Sequence, residues 1–248
     1  MDTPDAPMDS DAAVPERDRS PAADEAAPEE RSRSAVPAGA ARFGAPLAAL
    51  WAQWGRTILL AAAGVTALLL VGTFVTQPFQ VPSGSMEGTL RIGDRVLVDK
   101  LAYRFGGTPE RGDVIVFDGK DSFTPDSGTD YVKRVIGVGG DRVTCCDARG
   151  RMTVNGQPLD ETYLYPGDTP SRVPFDIVVP DGKLWVMGDH RDVSRDSRDH
   201  LGDPGGGSVP VGRVIGRVDW IAWPVGHWAR LHRPATFARV PAPAGAHG

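Results

Sequence analysis

YVKRVIGV, residues 131–138, decides how the rest of the chain is read. Tyr131, Val132, Val135, Ile136 and Val138 favour an extended backbone. Period-two alternation then puts Tyr131, Lys133 and Val135 on one face and Val132, Arg134 and Ile136 on the other. Lys133 therefore has apolar neighbours. Lysine is scarce in this part of the chain: beyond residue 76 only Lys100, Lys120, Lys133 and Lys183 occur. Desolvation disfavours an ammonium, and lowering a lysine from about 10.4 to about 7–8 costs roughly 4 kcal/mol. An amine neutral near physiological pH can act as general base toward a hydroxyl.

Similar runs lie on both sides: RVLVDKLAY, DVIVF, RVTCC, RMTV, FDIVV, KLWVM and VGRVIGRVDWIAW. Asn155-Gly156 and Pro180-Asp181-Gly182 read as turns between them. With no amphipathic helix pattern, residues 77–233 are expected to form a mainly β domain, antiparallel, of sandwich or barrel type. Residues 234–248 are rich in Ala and Pro and read as a flexible tail.

Upstream, TILLAAAGVTALLLVGTFVT (57–76) is 20 residues without a charge. As a helix it spans about 30 Å, the hydrocarbon thickness of a bilayer. Residues 1–56, dominated by Ala, Pro, acids and Arg, cannot bury enough apolar surface to fold and read as a disordered N-terminal region. Their acids end at Glu30, after which Arg31, Arg33, Arg42 and Arg56 precede the apolar run. The positive-inside rule places that end in the cytoplasm and everything after residue 76 outside, on a single crossing of the plasma membrane. A cleaved leader fits less well, because TQPFQ lacks a small-x-small site.

The net charge of −5 gives no reason to expect nucleic acid as a partner. The five histidines, at 190, 200, 227, 232 and 247, form no triad or metal-pair spacing, so neither metal nor cofactor is expected. Cys145-Cys146 is open to three readings: a vicinal disulfide, a metal-ligand pair, or two thiols. The clearest candidate nucleophile is Ser85, in the Pro-Ser-Gly-Ser-Met turn just beyond the apolar run. Taken alone, Ser85 is an ordinary turn serine and Lys133 a strand lysine reaching solvent.

Four segments change that balance: PSGSM (82–86), RGDVIVF (111–117), YVKRVIGVGGD (131–141) and GDHRDVSRDSR (188–198). In order and content they resemble the conserved boxes of type I signal peptidases, and the Gly/Ala/Arg-rich style is similar to actinobacterial members. The resemblance implies a two-part antiparallel β architecture with a small second subdomain. It implies Ser85 as nucleophile, Lys133 as general base and Ser83 as a second oxyanion donor beside the Ser85 N–H. It further implies that Ser194 orients the lysine and that Asp196 and Arg198 form a supporting ion pair. Val81, Pro82, Met86, Tyr131 and Val132 match positions lining the cleft for an extended preprotein segment with small residues at −1 and −3. Secretory preproteins and membrane lipid are thus the expected partners of a monomer. The chain departs from the family pattern at His190 and Val193, where Asn is usual, and at Gly88, where Pro is usual. The alternative is a non-catalytic, membrane-anchored β module that binds extended peptides.

Overall fold

The computed structural model describes residues 45–125, 128–203 and 205–243. It opens with helix α1 (Ala45–Phe74). The helix begins twelve residues before the expected apolar span and ends two before its close, so residues 45–56 are helical where the sequence reads as disordered. Residues 1–44 lie outside the described residues. The side chains of residues 54–70 are exposed throughout, among them Leu59, Leu60, Leu68 and Leu69. Among the described residues, no helix is long and apolar enough to cross a membrane.

Twelve strands follow among the described residues: β1 (Thr76–Gln80), β2 (Arg95–Asp99), β3 (Val114–Asp118), β4 (Asp130–Val138), β5 (Arg142–Cys145), β6 (Thr153–Val154), β7 (Gln157–Pro158), β8 (Phe175–Val178), β9 (Lys183–Met187), β10 (Val209–Pro210), β11 (Val214–Trp223) and β12 (Ala229–Arg230). Eight make one antiparallel sheet in the order β1-β2-β11-β3-β4-β9-β10, with β12 on β11. It is open, with β1 and β10 at its edges. The remaining four, in the order β7-β6-β5-β8, form the small second sheet. β1 leads from the helix toward the PSGSM turn, and it is paired residue for residue with β2.

The continuous apolar run of β3 explains its central place, because its two faces feed two cores. Val114 and Val116 pack with Val81, Met86, Leu90, Val96 and Val218. Ile115 and Phe117 pack with Val135, Leu184 and Val186. Each such buried side chain contributes about 1.5–3 kcal/mol over its exposed state. Along β4 the alternation read from sequence reappears: Tyr131 and Val135 join the Ile115 core and Val132 the Val116 core, while Ile136 joins a third, beneath the small sheet. That third core corrects the reading of the C-terminus. Phe237 and Val240 are buried in it, and Thr236 Oγ1 accepts a 2.9 Å bond from Asp160 N–H. One large apolar side chain docks a segment that Ala and Pro content marked as loose.

Candidate active site

Ser85 sits in a single 3-10 turn, Gly84–Met86, directly after β1. Met86, 1 % exposed, drops into the core and anchors the turn, leaving Ser83 exposed and Ser85 half-buried. Lys133 is held in β4 opposite Ile115. Its Nζ lies 2.7 Å from Ser85 Oγ, although 48 residues separate them in sequence. Lys133 is 4 % exposed, and burial pushes its pKa down to about 8. Asp196 and Asp189 pull the other way, Arg198 adds to the lowering, and Asp199 opposes it. Burial dominates. Ser83 Oγ is 3.4 Å from Ser85 Oγ.

A cleft of about 250 Å³ opens beside the pair. Val81, Pro82, Ser83, Ser85, Met86, Tyr131, Val132 and Lys133 all line it, so eight of the eleven candidate residues meet in one place. Phe79, Gln80, Val116 and Asp130 complete the lining and were not singled out from the sequence. A wider cleft of about 460 Å³, lined by Glu87, Ile92, Tyr165 and His227 among others, contains no serine–lysine pair.

The other three candidates stand behind the lysine. Asp196 is fully buried and accepts from Arg198 Nε (2.8 Å), Arg198 Nη2 (2.9 Å) and Gly188 N–H (3.1 Å). Burial pushes this carboxyl up, but the Arg198 guanidinium, the Gly188 amide and the nearby Ser194 hydroxyl outweigh it and hold the pKa below the usual value. Ser194 departs from expectation. Its Oγ is buried, yet no described group, Lys133 included, stands in hydrogen-bonding geometry to it, although the hydroxyl is close enough to Asp196 to help hold that carboxyl's pKa down. A Cβ at Gly188 would fall on both Ser194 Oγ and Ser85 O, which shows how closely this loop passes behind the nucleophile.

Two residues to which the sequence reading gave no role also stand at the site. Arg134, on the face of β4 opposite Lys133, bonds Asp189 through Nε (2.8 Å) and Nη2 (2.7 Å), and its guanidinium lies 4.2 Å over the Tyr163 ring. An arginine in a strand buried on both faces must find a carboxylate, and Asp189 lies in the GDHRD segment. His190 is the second: its N–H donates to Ser85 O at 3.2 Å.

The other departures have a local physical basis. Gly88 has φ +105°, which proline cannot adopt, and a Cβ there would press on the Tyr163 carbonyl. Val193 is exposed, away from the cleft. Cys145, the last residue of β5, and Cys146 are disulfide-bonded to each other, which sets aside the metal-pair and free-thiol readings.

The family model described as "Signal peptidase, peptidase S26" matches residues 51–223. Signal peptidase I of Mycobacterium tuberculosis is 41 % identical over 215 residues, covering 68 % of this chain and 72 % of that protein. The probable signal peptidase I of Mycobacterium leprae is 38 % identical over 232 residues, covering 73 % and 78 %. Signal peptidase IB of Staphylococcus aureus is 33 % identical over 193 residues, covering 71 % and 93 %. The chain therefore belongs to the signal peptidase family, peptidase S26, and within it to the type I signal peptidases, which are serine endopeptidases.

Proposed function

We propose that this chain removes N-terminal signal peptides from secretory preproteins by a serine–lysine mechanism, and that the uncharged run of residues 57–76 anchors it in the plasma membrane as a monomer with the β domain outside. The observation that carries the reading is the 2.7 Å approach of a buried amine to the Ser85 hydroxyl. With Nζ neutral, that hydroxyl donates to the amine lone pair. Ser85 Oγ attacks the scissile carbonyl as its proton passes to Lys133 Nζ. The Ser85 N–H and the Ser83 hydroxyl stabilise the oxyanion. The C–N bond breaks as the lysine proton moves to the leaving amine, giving the free mature N-terminus and a Ser85 ester. Water, deprotonated by the again neutral Lys133, hydrolyses the ester, and the proton returns to Ser85. Asp196 and Arg198 brace the loop behind the lysine and Ser194 fills the space beside it; none of the three exchanges a proton with substrate.

β1 pairs only with β2 among the described strands, so its outer edge suits an extended peptide added as a further strand. The cleft at its end is small and lined by Phe79, Val81, Met86 and Val132, which fits alanine-sized side chains. The anchoring proposal rests on the 20-residue uncharged run and on the exposed apolar side chains of α1. The sheet starts at Thr76, two residues beyond the helix, which would put the cleft close to the outer leaflet.

The test is incubation of the full-length protein in detergent with a precursor carrying an Ala-x-Ala site, followed by sequencing of the new N-terminus. Cleavage after the second Ala, lost in Ser85→Ala and in Lys133→Ala, is expected. Full cleavage by either folded variant would remove the mechanism, and binding without cleavage by the unaltered protein would favour the non-catalytic module.

A further inference from the structure

Two carbonyls flank the Ser85 amide, and one residue holds both. The backbone N–H of His190 donates to Ser85 O at 3.2 Å, and His190 Nδ1 lies 3.3 Å from Gly84 O. The same Nδ1 is 3.4 Å from Glu87 Oε2. Both of these neighbours are acceptors, so a proton belongs on Nδ1 whether the ring is neutral or charged. The ring is fixed from behind by a stack on Tyr165, with centroids 4.0 Å apart and planes 17° from parallel. Tyr165 is tied in turn by its N–H to Asp189 O at 3.0 Å.

Gly84 O also accepts from Glu87 N–H at 3.0 Å. That oxygen and the Ser85 N–H are opposite ends of one planar peptide unit. Two donors on the oxygen fix the plane and so fix the direction of the N–H. They also draw electron density toward the oxygen, which makes the N–H a stronger donor. We propose that His190 is a positioning residue of the oxyanion site: its Nδ1–H bond to Gly84 O aims and polarises the Gly84–Ser85 peptide, so that the Ser85 N–H meets the charge formed during acylation. The inference rests on the proteolytic reading above. It gives a chemical role to a position at which the chain departs from the family pattern.

The experiment compares full-length His190→Phe, His190→Asn and His190→Ala with the unaltered protein, using Ser85→Ala as the blank. Phe keeps the stack on Tyr165 and the backbone N–H but cannot donate from its ring, whereas Asn retains a side-chain donor. Deleting an oxyanion donor outright lowers kcat about 10²–10³-fold. Loss of a group that only aims the donor should therefore lower kcat about tenfold in His190→Phe, with KM within about twofold, and His190→Asn should recover most of kcat. A peptide aldehyde, whose adduct places an oxyanion at the site, should lose affinity in step with kcat. An uncleavable peptide of the same sequence should bind as before.

The inference is overturned if His190→Phe retains full kcat, if KM rather than kcat changes, or if His190→Asn is as slow as His190→Phe. Should His190→Phe fail to fold, the His190→Ala and His190→Asn pair decides by the same comparison. If the unaltered protein shows no cleavage above the Ser85→Ala blank, the proteolytic reading fails instead, which separates the two outcomes.

Discussion

Arg134 and Asp189 form a bidentate ion pair buried at the junction of β4 and the loop behind the nucleophile, with side chains 3 % and 0 % exposed. Lys133 precedes the arginine and His190 follows the aspartate, so one pair fixes the local backbone of both. Thr89 Oγ1 and the Gly112 carbonyl take up further valences, which such a pair needs to offset its desolvation. Asp189→Asn or Asp189→Ala, leaving the arginine charge buried and unpaired, should destabilise the fold by about 3–5 kcal/mol. Thermal unfolding of the purified variants measures this; a loss below about 1 kcal/mol would show that the pair is not structurally required.

Lys133 should be a site where function opposes stability. Its folded-state pKa, about 8, lies below the ordinary 10.5, so in the folded protein the proton is held less tightly than in the unfolded chain. Between these values the unfolded state binds more protons, and stability rises with pH from about 8 to about 10.5. Below about 8 both states carry the charge, and the fold bears the full penalty, about 3 kcal/mol at 1.36 kcal/mol per unit. Lys133→Met should therefore unfold at higher temperature than the unaltered protein at pH 7 while cleaving nothing. The gap should narrow as the pH is raised through 10. A destabilised Lys133→Met at pH 7 would contradict the burial argument.

Much of this site was legible in sequence, for reasons that differ by residue. Alternation along residues 131–138 placed Lys133 among apolar neighbours, and β4 carries the pattern because neighbouring strands pair with it on both sides. The apposition of Lys133 to Ser85 was not legible from spacing, since a contact across 48 residues depends on the whole sheet order; only the resemblance pointed to it. Arg134 was missed because its partner lies 55 residues away. β7, β10 and β12, at two residues each, are too short to leave a periodic signal and are held by their neighbours. The burial of Phe237 likewise depends on the third core, which no local composition reveals.

Membrane attachment is tested by charge. Leu68, Leu69 and Leu70 lie toward the C-terminal half of the uncharged run and are exposed on α1. An aspartate at the centre of a spanning helix costs about 2.5–3.5 kcal/mol. Replacing all three leucines with Asp should therefore release the chain from membranes under alkaline extraction, whereas the unaltered chain stays with the lipid. Retention of the triple variant at the original level would place the attachment elsewhere.

The most direct test of the central claim is the pH dependence of kcat/KM for precursor cleavage. A base titrating at about 8 is half neutral there, about a tenth neutral at pH 7 and about a hundredth at pH 6. The rate should accordingly rise about tenfold per pH unit below 8 and level off above it. A rate unchanged down to pH 5 would mean that no buried amine takes the Ser85 proton, and the serine–lysine account would fall with it.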